Sequence, residues 1–439
     1  MHDRRELLKR TAAVGAGLAL GGTVLGGAQP AVTMAQSTEF VFWDTLNDPI
    51  RSKIMVDLGN SFGKAKGITV THRGWTLEEL QNTLPRAVEG KQGPDVSQVN
   101  NGESLAGPMA RAGQIVDLKD YDTQYKWSER FAPSLLARNR YSADGKTFGE
   151  GDLWGVSAES EIVGFFYNKT IFADQGLSVP TTVAELENVF KTLREKGTEP
   201  LIFGNLDKWQ AIHLLGEVQG VRTTREFLDD LIYRRKGGAS FTDQSFVDAA
   251  TQMVEWNKAG YFLQGFEGIT ADDATALFAS GGGGLLLQGS WATGAVKDGL
   301  GENAGFFLMP PLEAGKKVLS VGGVAIPYSI IRDAKDHDLC AAFIDSLLSE
   351  EAVAAFLASG SLPAGEIPAD KINEATVDGQ LYAAWNATVK DDAVGHYLDW
   401  AAPGFYDVLT GALQELLGGQ VDPAAFTKKL QDFYAASFS

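Results

Sequence analysis

The chain has 439 residues, 44% hydrophobic and 21% charged, a globular composition with enough length for more than one hydrophobic core. Its formal net charge of -18 argues against nucleic acid and against an anionic membrane as partners. The single cysteine, Cys340, excludes an internal disulfide, and the five histidines form no pair at zinc-binding spacing, so we expect no metal site and no cofactor.

The N-terminal residues have the features of an export signal. The twin arginine Arg4-Arg5 precedes a mildly apolar, Gly- and Ala-rich run at 11–25, and residues 33–35, Thr-Met-Ala, resemble a signal-peptidase site. This order predicts a Tat signal peptide over residues 1–35, with delivery to the periplasm or to the outer face of the cell membrane. An uncleaved membrane anchor is the alternative, and the sequence leaves cleavage open.

Strands and helices alternate from residue 39 onward. Strand-like runs occupy 40–43, 68–72 and 95–99, and the segments between them repeat apolar residues at helical spacing, as in Ile50, Ile54, Leu58 and Phe62. This βαβα order predicts an α/β fold with a parallel or mixed sheet flanked by helices.

Ligands of such open sheets bind at the carboxyl ends of the strands, which makes the residues after each strand candidates for a site. The first strand is followed by Trp43, Asp44 and Asn47, and the third by Asn100, Asn101 and Glu103. Asn and Asp are also common turn residues, so each residue alone has an equally good structural explanation. Two polar clusters after two strands, one with a tryptophan, favour a binding site.

The middle of the chain has an apolar run at 162–167, which predicts a strand. Glu159 and Glu161 stand just before it, and residues two apart on an extended chain point to the same face. A second α/β unit follows, with a helix at 183–193 and strands at 201–203 and 285–288.

Several aromatic residues after residue 200 lie at strand ends or before helices rather than inside apolar runs: Trp209, Trp291, Trp400, Phe405 and Tyr406. Gly289 and Ser290 precede Trp291 and are expected to leave space for a ligand beside the backbone. Trp256, by contrast, shares a helical apolar face with Met253 and is expected in the core.

Short motifs along the chain resemble those of bacterial extracellular solute-binding proteins of family 1, the sugar-binding subunits of ABC importers. They are Leu153-Trp154-Gly155, Tyr167-Asn168-Lys169 with Phe172, Gly289-Ser290-Trp291, the strand at 321–326, and Ser361-Leu362-Pro363-Ala364. The resemblance extends from about residue 39 to the C-terminus. It implies a two-lobed, periplasmic-binding-protein-like α/β fold, each lobe a mixed sheet flanked by helices, with three crossovers near 157–161, 308–311 and 362–364. The lobes would comprise 36–157 with 311–362, and 158–310 with 363–439.

The same resemblance implies roles for single residues. Glu161 would accept sugar hydroxyls, Trp291 would be a sugar platform, Gly322 and Gly323 would lie on a glycine-bearing strand of the first lobe, and Phe405 or Tyr406 would be the last aromatic of the cleft. The protein would be a monomer that binds a carbohydrate between its lobes and delivers it to membrane permease subunits of an ABC importer.

Two other functions fit parts of the sequence. The acidic composition permits a polyamine as ligand. A secreted glycosidase would use Glu159 and Glu161 as its carboxylate pair, although such pairs come from separate strands in most glycosidases. The sequence specifies neither the sugar nor its length or linkage.

Overall fold

The computed structural model describes residues 39–234 and 237–438, so the predicted signal peptide lies outside the described residues. The described residues form one compact unit. Within the described ranges, no helix is long and apolar enough to cross a bilayer.

The first third of the chain forms these elements: β1 (Glu39–Asp44), α1 (Pro49–Lys66), β2 (Thr69–Gly74), α2 (Leu77–Glu89), β3 (Val96–Gln98), α3 (Ala106–Arg111), α4 (Lys119–Tyr125), α5 (Pro133–Leu136), β4 (Arg140–Tyr141) and β5 (Asp152–Leu153). The middle third forms β6 (Glu159–Asn168), α6 (Lys169–Gln175), α7 (Val183–Glu195), β7 (Leu201–Ile202), α8 (Trp209–Gly220), α9 (Arg225–Tyr233), α10 (Gln244–Lys258), α11 (Ala271–Ala279), β8 (Leu285–Gly289), α12 (Thr293–Leu300) and β9 (Ala304–Phe307). The last third forms β10 (Ser320–Val324), β11 (Tyr328–Ile330), α13 (His337–Ser346), α14 (Glu350–Ser359), β12 (Leu362–Pro363), α15 (Val377–Lys390), β13 (Val394–Gly395), α16 (Phe405–Leu417) and α17 (Pro423–Ala436).

The smaller sheet has the strand order β11-β3-β1-β2. β1 runs parallel to both β2 and β3, and β11 closes the sheet antiparallel to β3. The predicted βαβα order is confirmed, because helices α1 and α2 connect the parallel strands as such crossovers require. Phe40 and Phe42 of β1 pack on Phe343 of α13, with ring centroids 5.0 and 4.7 Å apart, and form the centre of this core.

The larger sheet is built around β6, which is paired along both edges. Its first half lies between β10 and β12, and its second half lies between β8 and β9, all antiparallel. The apolar run at 162–167 is therefore a strand, as predicted, and it extends to Glu159 and Asn168. A strand with sheet neighbours on both edges and helices over its faces is buried. In β6, nine of the ten residues are buried.

Three chain segments connect the two sheets, and all three meet at residues 158–160. The first, 154–158, leads into β6. The second, 325–327, runs beside it: Ala325 N donates to Glu159 O at 2.9 Å, and Tyr328 bridges Val156. The third includes β12, whose Leu362 pairs with Ser160. Crossovers near 157–161 and 362–364 agree with expectation.

The second crossover lies elsewhere than expected. Residues 308–311 do not lead to the smaller sheet, because the chain returns through β10, which pairs with β6 at Gly322–Ile162 and with β13. The glycine-bearing strand was expected in the first lobe, but it belongs to the larger sheet, and only β11 reaches the smaller one. Strand pairing across this distance in sequence cannot be read from local pattern.

The buried Arg138 explains why β10 carries glycine. Its guanidinium donates to the carbonyl oxygens of Gly322 and Gly395 and is fully buried. Gly323 has a φ of 137°, and a Cβ there would lie 1.7 Å from Arg138 Nη1. Only glycine fits both the backbone conformation and the space that the guanidinium leaves.

We expect Gly323→Ala to destabilise the protein by about 2 kcal/mol or more, because the hydrogen-bonded Arg138 cannot move away. Gly411→Ala is the matched control. Gly411 lies inside α16 with no heavy atom within 4 Å of its added Cβ, so alanine should stabilise by about 0.5–1 kcal/mol through helix propensity. Urea unfolding of the wild type and both variants gives the change in the free energy of unfolding for each substitution. Equal changes of the same sign would contradict this explanation.

Candidate functional site

A cavity of about 350 Å³ lies between the two sheets, within the size range of small-molecule sites. It is lined by segments that follow β1, β2 and β3, by the start of β6, by the second crossover, and by loops next to α8, α11, α12 and α16. Ligands of open α/β sheets bind at such strand ends, and here the ends of the smaller sheet face the joint between the lobes.

The strand ends contribute polar side chains that are already oriented. Gln98 Oε1 accepts hydrogen bonds from the amide and hydroxyl groups of Thr45, both at 2.8 Å. Asn100 Oδ1 caps the amide of Asn101 at 2.9 Å. Trp75 follows β2, and its indole N–H makes no hydrogen bond with any described residue. These groups hold their positions before any ligand arrives, which limits the entropy lost on binding.

Glu159 and Glu161 enter the cavity from the same face of β6. Neither carboxylate makes a hydrogen bond or an ion pair within 4.0 Å among the described residues. Burial raises the pKa of each to about 7; Arg51 is the main influence that lowers the pKa of Glu159, and the Tyr397 hydroxyl that of Glu161. The Tyr397 hydroxyl lies near Glu161 without a well-formed hydrogen bond. Two acidic groups thus face the cavity without partners.

Arg51 lowers the pKa of both carboxyls, and the buried Arg138 acts more strongly than Arg51 on Glu161. The Nε of Arg51 donates to Asp48 Oδ2 at 2.6 Å, and Asp48 in turn caps α1 through the amides of Ile50 and Arg51. The pKa of Arg51 is raised despite burial, because Asp48, Glu159 and Asp44 attract its charge. The helix cap thereby fixes a guanidinium at the wall of the cavity.

The larger lobe contributes a continuous aromatic wall of five residues, Trp291, Trp209, His213, Tyr397 and Trp400. Neighbouring ring centroids along it are 5.8, 4.9, 5.1 and 5.1 Å apart. Burial lowers the pKa of His213 to about 3, so its ring is neutral. Trp209 and Trp291 remain partly exposed within the cavity, and they can contact a flat apolar ligand face.

The tail segment before α16 completes this side of the cavity. Asp399 accepts a hydrogen bond from Ser104 Oγ at 2.7 Å, and burial raises its pKa to about 6. Tyr406 lines the cavity, and Arg138 lies 5.3 Å from the Trp400 ring on its other side. Trp400 also packs against Gly102, where a Cβ would lie 2.4 Å from its own.

Most of the candidate residues named from sequence meet at this cavity. They are Asn47, Asn100, Asn101, Glu161, Trp209, Trp291, Trp400 and Tyr406. The side-chain amide nitrogen of Asn101 already donates hydrogen bonds to Arg138 O and Asn139 Oδ1, at 3.0 and 2.6 Å, so it is less available to a ligand. Gly289 has a different role from the one expected: it makes room for the Trp291 indole itself, which would lie 2.1 Å from a Cβ.

Six candidates lie outside the cavity lining. Asp44 is fully buried and accepts hydrogen bonds from Leu46 N and Tyr328 Oη while contacting His72, so it ties β1 to β2 and β11. Trp43, the last residue but one of β1, packs against Trp75 at 5.0 Å. Trp43 and Asp44, which were expected to follow the first strand, are therefore its last two residues.

The other four have structural explanations as well. Glu103 is held by Arg111 at 2.6 Å. Phe405 is fully buried against Phe241 at 4.7 Å. Gly322 and Gly323 lie on β10 against Arg138. Of the two tail aromatics, Tyr406 rather than Phe405 is the one that reaches the cavity.

Sequence reasoning did not identify several lining residues, among them Trp75, Arg51, Asp207, His213, Asp272, Tyr397 and Asp399. Trp75 and Asp207 follow strands, so the rule that selected Trp43 and Trp209 could have found them. Arg51, inside α1, carries no such signal. Its proximity to Glu159 arises from how α1 packs beside the crossovers.

Comparison with known proteins identifies the class of molecule. Residues 57–384, about three quarters of the chain, match a family described as bacterial extracellular solute-binding protein. An osmoprotective compounds-binding protein of Synechocystis sp. is 28% identical over 143 residues, 33% of this chain and 32% of that protein. A multiple sugar-binding protein of Streptococcus mutans is 22% identical over 162 residues, which are 36% of this chain and 38% of that protein. The matched region thus spans about a third of these curated relatives.

Solved structures agree on the fold. A chitin oligosaccharide binding protein is 22% identical, with a TM-score of 0.78 over 91% of this chain and 99% of that one. A solute-binding protein in complex with raffinose is 21% identical, with a TM-score of 0.70 over 92% of this chain and 100% of that one. The predicted two-lobed periplasmic-binding-protein-like fold is confirmed.

The raised pKa values of Glu159 and Glu161 predict a pH dependence of stability. A carboxyl whose pKa is about 7 when folded and ordinary when unfolded favours folding below pH 4.5 and loses this contribution as pH rises towards 7. Glu159→Gln with Glu161→Gln should therefore stabilise the unliganded protein at pH 8 by about 1–3 kcal/mol, and hardly at pH 5.

Thermal melting of both proteins at the two pH values measures this difference. Glu313→Gln with Glu366→Gln is the control, because it makes the same change in net charge at exposed residues outside the cavity. A stabilisation at pH 8 that the control reproduces would show a general charge effect instead.

Proposed function

Because the chain belongs to the bacterial extracellular solute-binding protein family, we propose that it is the carbohydrate-binding component of an ABC importer. The observation that carries this proposal is the aromatic wall facing the unpartnered carboxylates Glu159 and Glu161 across one cavity. Members of this family bind solutes outside the cytoplasm and are not enzymes.

The two sides of the cavity match the two surfaces of a sugar ring. The C–H faces of a pyranose are apolar and suit an aromatic plate, which Trp209 and Trp291 would supply. Its hydroxyl rim suits carboxylates and amides through charge-assisted hydrogen bonds, which Glu161, Glu159 and Asn100 would supply. Asn47 and Tyr406, which also line the cavity, would contact the ligand as well.

The relatives support this ligand class by their names. One is a multiple sugar-binding protein, and the structural neighbours bind chitin oligosaccharides and raffinose. The osmoprotective compounds of another relative extend the range to further small solutes. A polyamine is the second candidate, favoured by the carboxylates of the cavity, but it has no ring face to match the tryptophans.

The placement of the two glutamates gives a physical reason for binding without turnover. A glycosidase positions one carboxyl to protonate the leaving oxygen and the other to attack or activate water at the sugar carbon. Glu159 and Glu161 instead project from the same face of one strand, two residues apart. Both approach a ligand from the same side, which suits holding hydroxyls.

The three crossovers would serve as a hinge. They meet at residues 158–160, next to the carboxylates, so a ligand that draws the two lobes onto itself would bend the chain at these segments. The two lobes would correspond to 36–157 with 311–362 and 158–310 with 363–439, except that β10 pairs with the larger sheet. We also propose that the protein acts as a monomer, closes in this way, and presents the closed form to permease subunits.

For delivery, we propose export by the Tat pathway, which rests on the twin arginine and the weakly apolar run that follows it. Either a cleaved signal or an anchor would retain the protein outside the cytoplasm.

We expect Trp291→Ala to weaken sugar binding by at least about 2 kcal/mol, roughly thirtyfold, because it removes an aromatic face of the cavity. Trp291→Phe is the matched control and should keep most of the affinity, since it retains a face. Calorimetry with a sugar that the wild type binds gives the affinities, and melting without sugar tests the fold. Unchanged affinity of Trp291→Ala would contradict the platform role, and a collapsed melting temperature would place this residue in the core.

We expect Arg4→Lys with Arg5→Lys to keep the precursor inside the cell, because the Tat machinery recognises the arginine pair. Lys9→Arg, which keeps the pair and the charge, is the control. Fractionation and immunoblotting of both variants locate the protein. Normal export of the double variant would rule out the Tat route.

A further inference from the structure

The charges that line the cavity are strongly unbalanced. Six carboxylates reach its wall, Glu78, Glu159, Glu161, Asp207, Asp272 and Asp399, whereas Arg51 is the single lining cation among the described residues. Arg51 is already bonded at 2.6 Å to Asp48, which does not line the cavity. His213 adds no positive charge, because burial lowers its pKa to about 3. The wall thus presents an excess of negative charge to any ligand.

Buried, unpartnered polar side chains point to where this charge acts. Glu159 is 7% exposed, lines the cavity, and makes no hydrogen bond with any described residue. Glu161, two residues along on the same face, is partly buried and makes none either. The Tyr397 hydroxyl, on a residue also 7% exposed, has no hydrogen-bond partner in the described part of the chain. Burying a carboxylate without a partner costs free energy, so this end of the cavity is built for a group that supplies the missing donors.

The nature of the missing donor follows from the charge. A neutral hydroxyl supplies one hydrogen bond and leaves the repulsion between Glu159 and Glu161 in place. An ammonium supplies three donors and a positive charge, so it bonds both carboxylates and cancels their repulsion. It is also attracted to the faces of the neighbouring indoles. Burial raises the pKa of both glutamates, and Arg51 at both and Arg138 at Glu161 lower it only in part.

We propose that the preferred ligand is a sugar that carries a protonated amino group, with its ammonium between Glu159 and Glu161 and its ring on the wall formed by Trp209 and Trp291. This inference rests on the proposed carbohydrate function and narrows it to a substrate class. A linear polyamine would satisfy the carboxylates but leave the aromatic wall without a ring face. A neutral sugar would satisfy the wall but leave the excess charge unmatched. An amino sugar satisfies both.

Calorimetry at pH 7 tests this with matched sugars that differ at one carbon. The probes are glucose, N-acetylglucosamine and glucosamine, their β-1,4-linked dimers, galactose and galactosamine, with spermidine as a cation that has no ring. We expect the amine of each series to bind at least tenfold more tightly than its hydroxyl and acetamide counterparts. Equal or tighter binding of the neutral forms would overturn the inference and leave the carbohydrate function standing. Binding of spermidine alone would overturn the carbohydrate function, and binding of no probe would count against both.

Variants then test the carboxylates themselves. Glu159→Gln and Glu161→Gln should each reduce the ratio of amine to neutral affinity by at least threefold, because each keeps the shape and removes one negative charge. Glu313→Gln removes the same charge from an exposed residue outside the cavity and should leave the ratio unchanged. If all three variants lower the ratio equally, the preference reflects the net charge of the protein and the inference fails. Melting of each variant without ligand verifies that it folds.

Discussion

The structure depends on the pairing of one strand, β6, along both of its edges. Its second half holds the larger sheet together by pairing with β8 and β9. Its first half pairs with β10, which leads to the smaller sheet, and with β12, which leads back from it. Both lobes are therefore anchored to the same ten residues. Because the contacts at 158–160 are mostly backbone hydrogen bonds between extended segments, they can bend without breaking a packed core.

The same strand places the polar end of the site at the joint between the lobes. Glu159 and Glu161 belong to the half of β6 that pairs with the crossovers, so their charge lies where the lobes meet. Leaving both without partners opposes folding of the empty protein, and a bound ligand that supplies donors would recover that free energy. Ligand affinity and lobe closure would thus be coupled through two side chains, with the aromatic wall of the larger lobe holding the ring.

Local pattern predicted the elements well, because α1 and α2 repeat apolar residues at helical spacing and β6 contains a continuous apolar run, as a strand buried on both faces requires. It also selected Trp209, Trp291 and Tyr406, which line the cavity, since residues after strands and before helices often lie outside the core. It failed where distant segments decide. The position of β10 depends on Arg138 and β6, and Asp44 became a buried anchor because Tyr328, nearly three hundred residues later in sequence, reaches its carboxylate. Arg51 lies at the cavity because of how α1 packs, and no sequence motif predicts that packing.

Small-angle scattering of the protein with and without a sugar that it binds shows directly whether β6 and its crossovers form a hinge around the ligand. Hinge closure predicts a smaller radius of gyration at saturating sugar, because the lobes would close on the cavity. It also predicts that Trp291→Ala, at a sugar concentration that saturates only the wild type, keeps the larger radius. An unchanged radius of the wild type at saturation would contradict hinge closure and leave a rigid cleft.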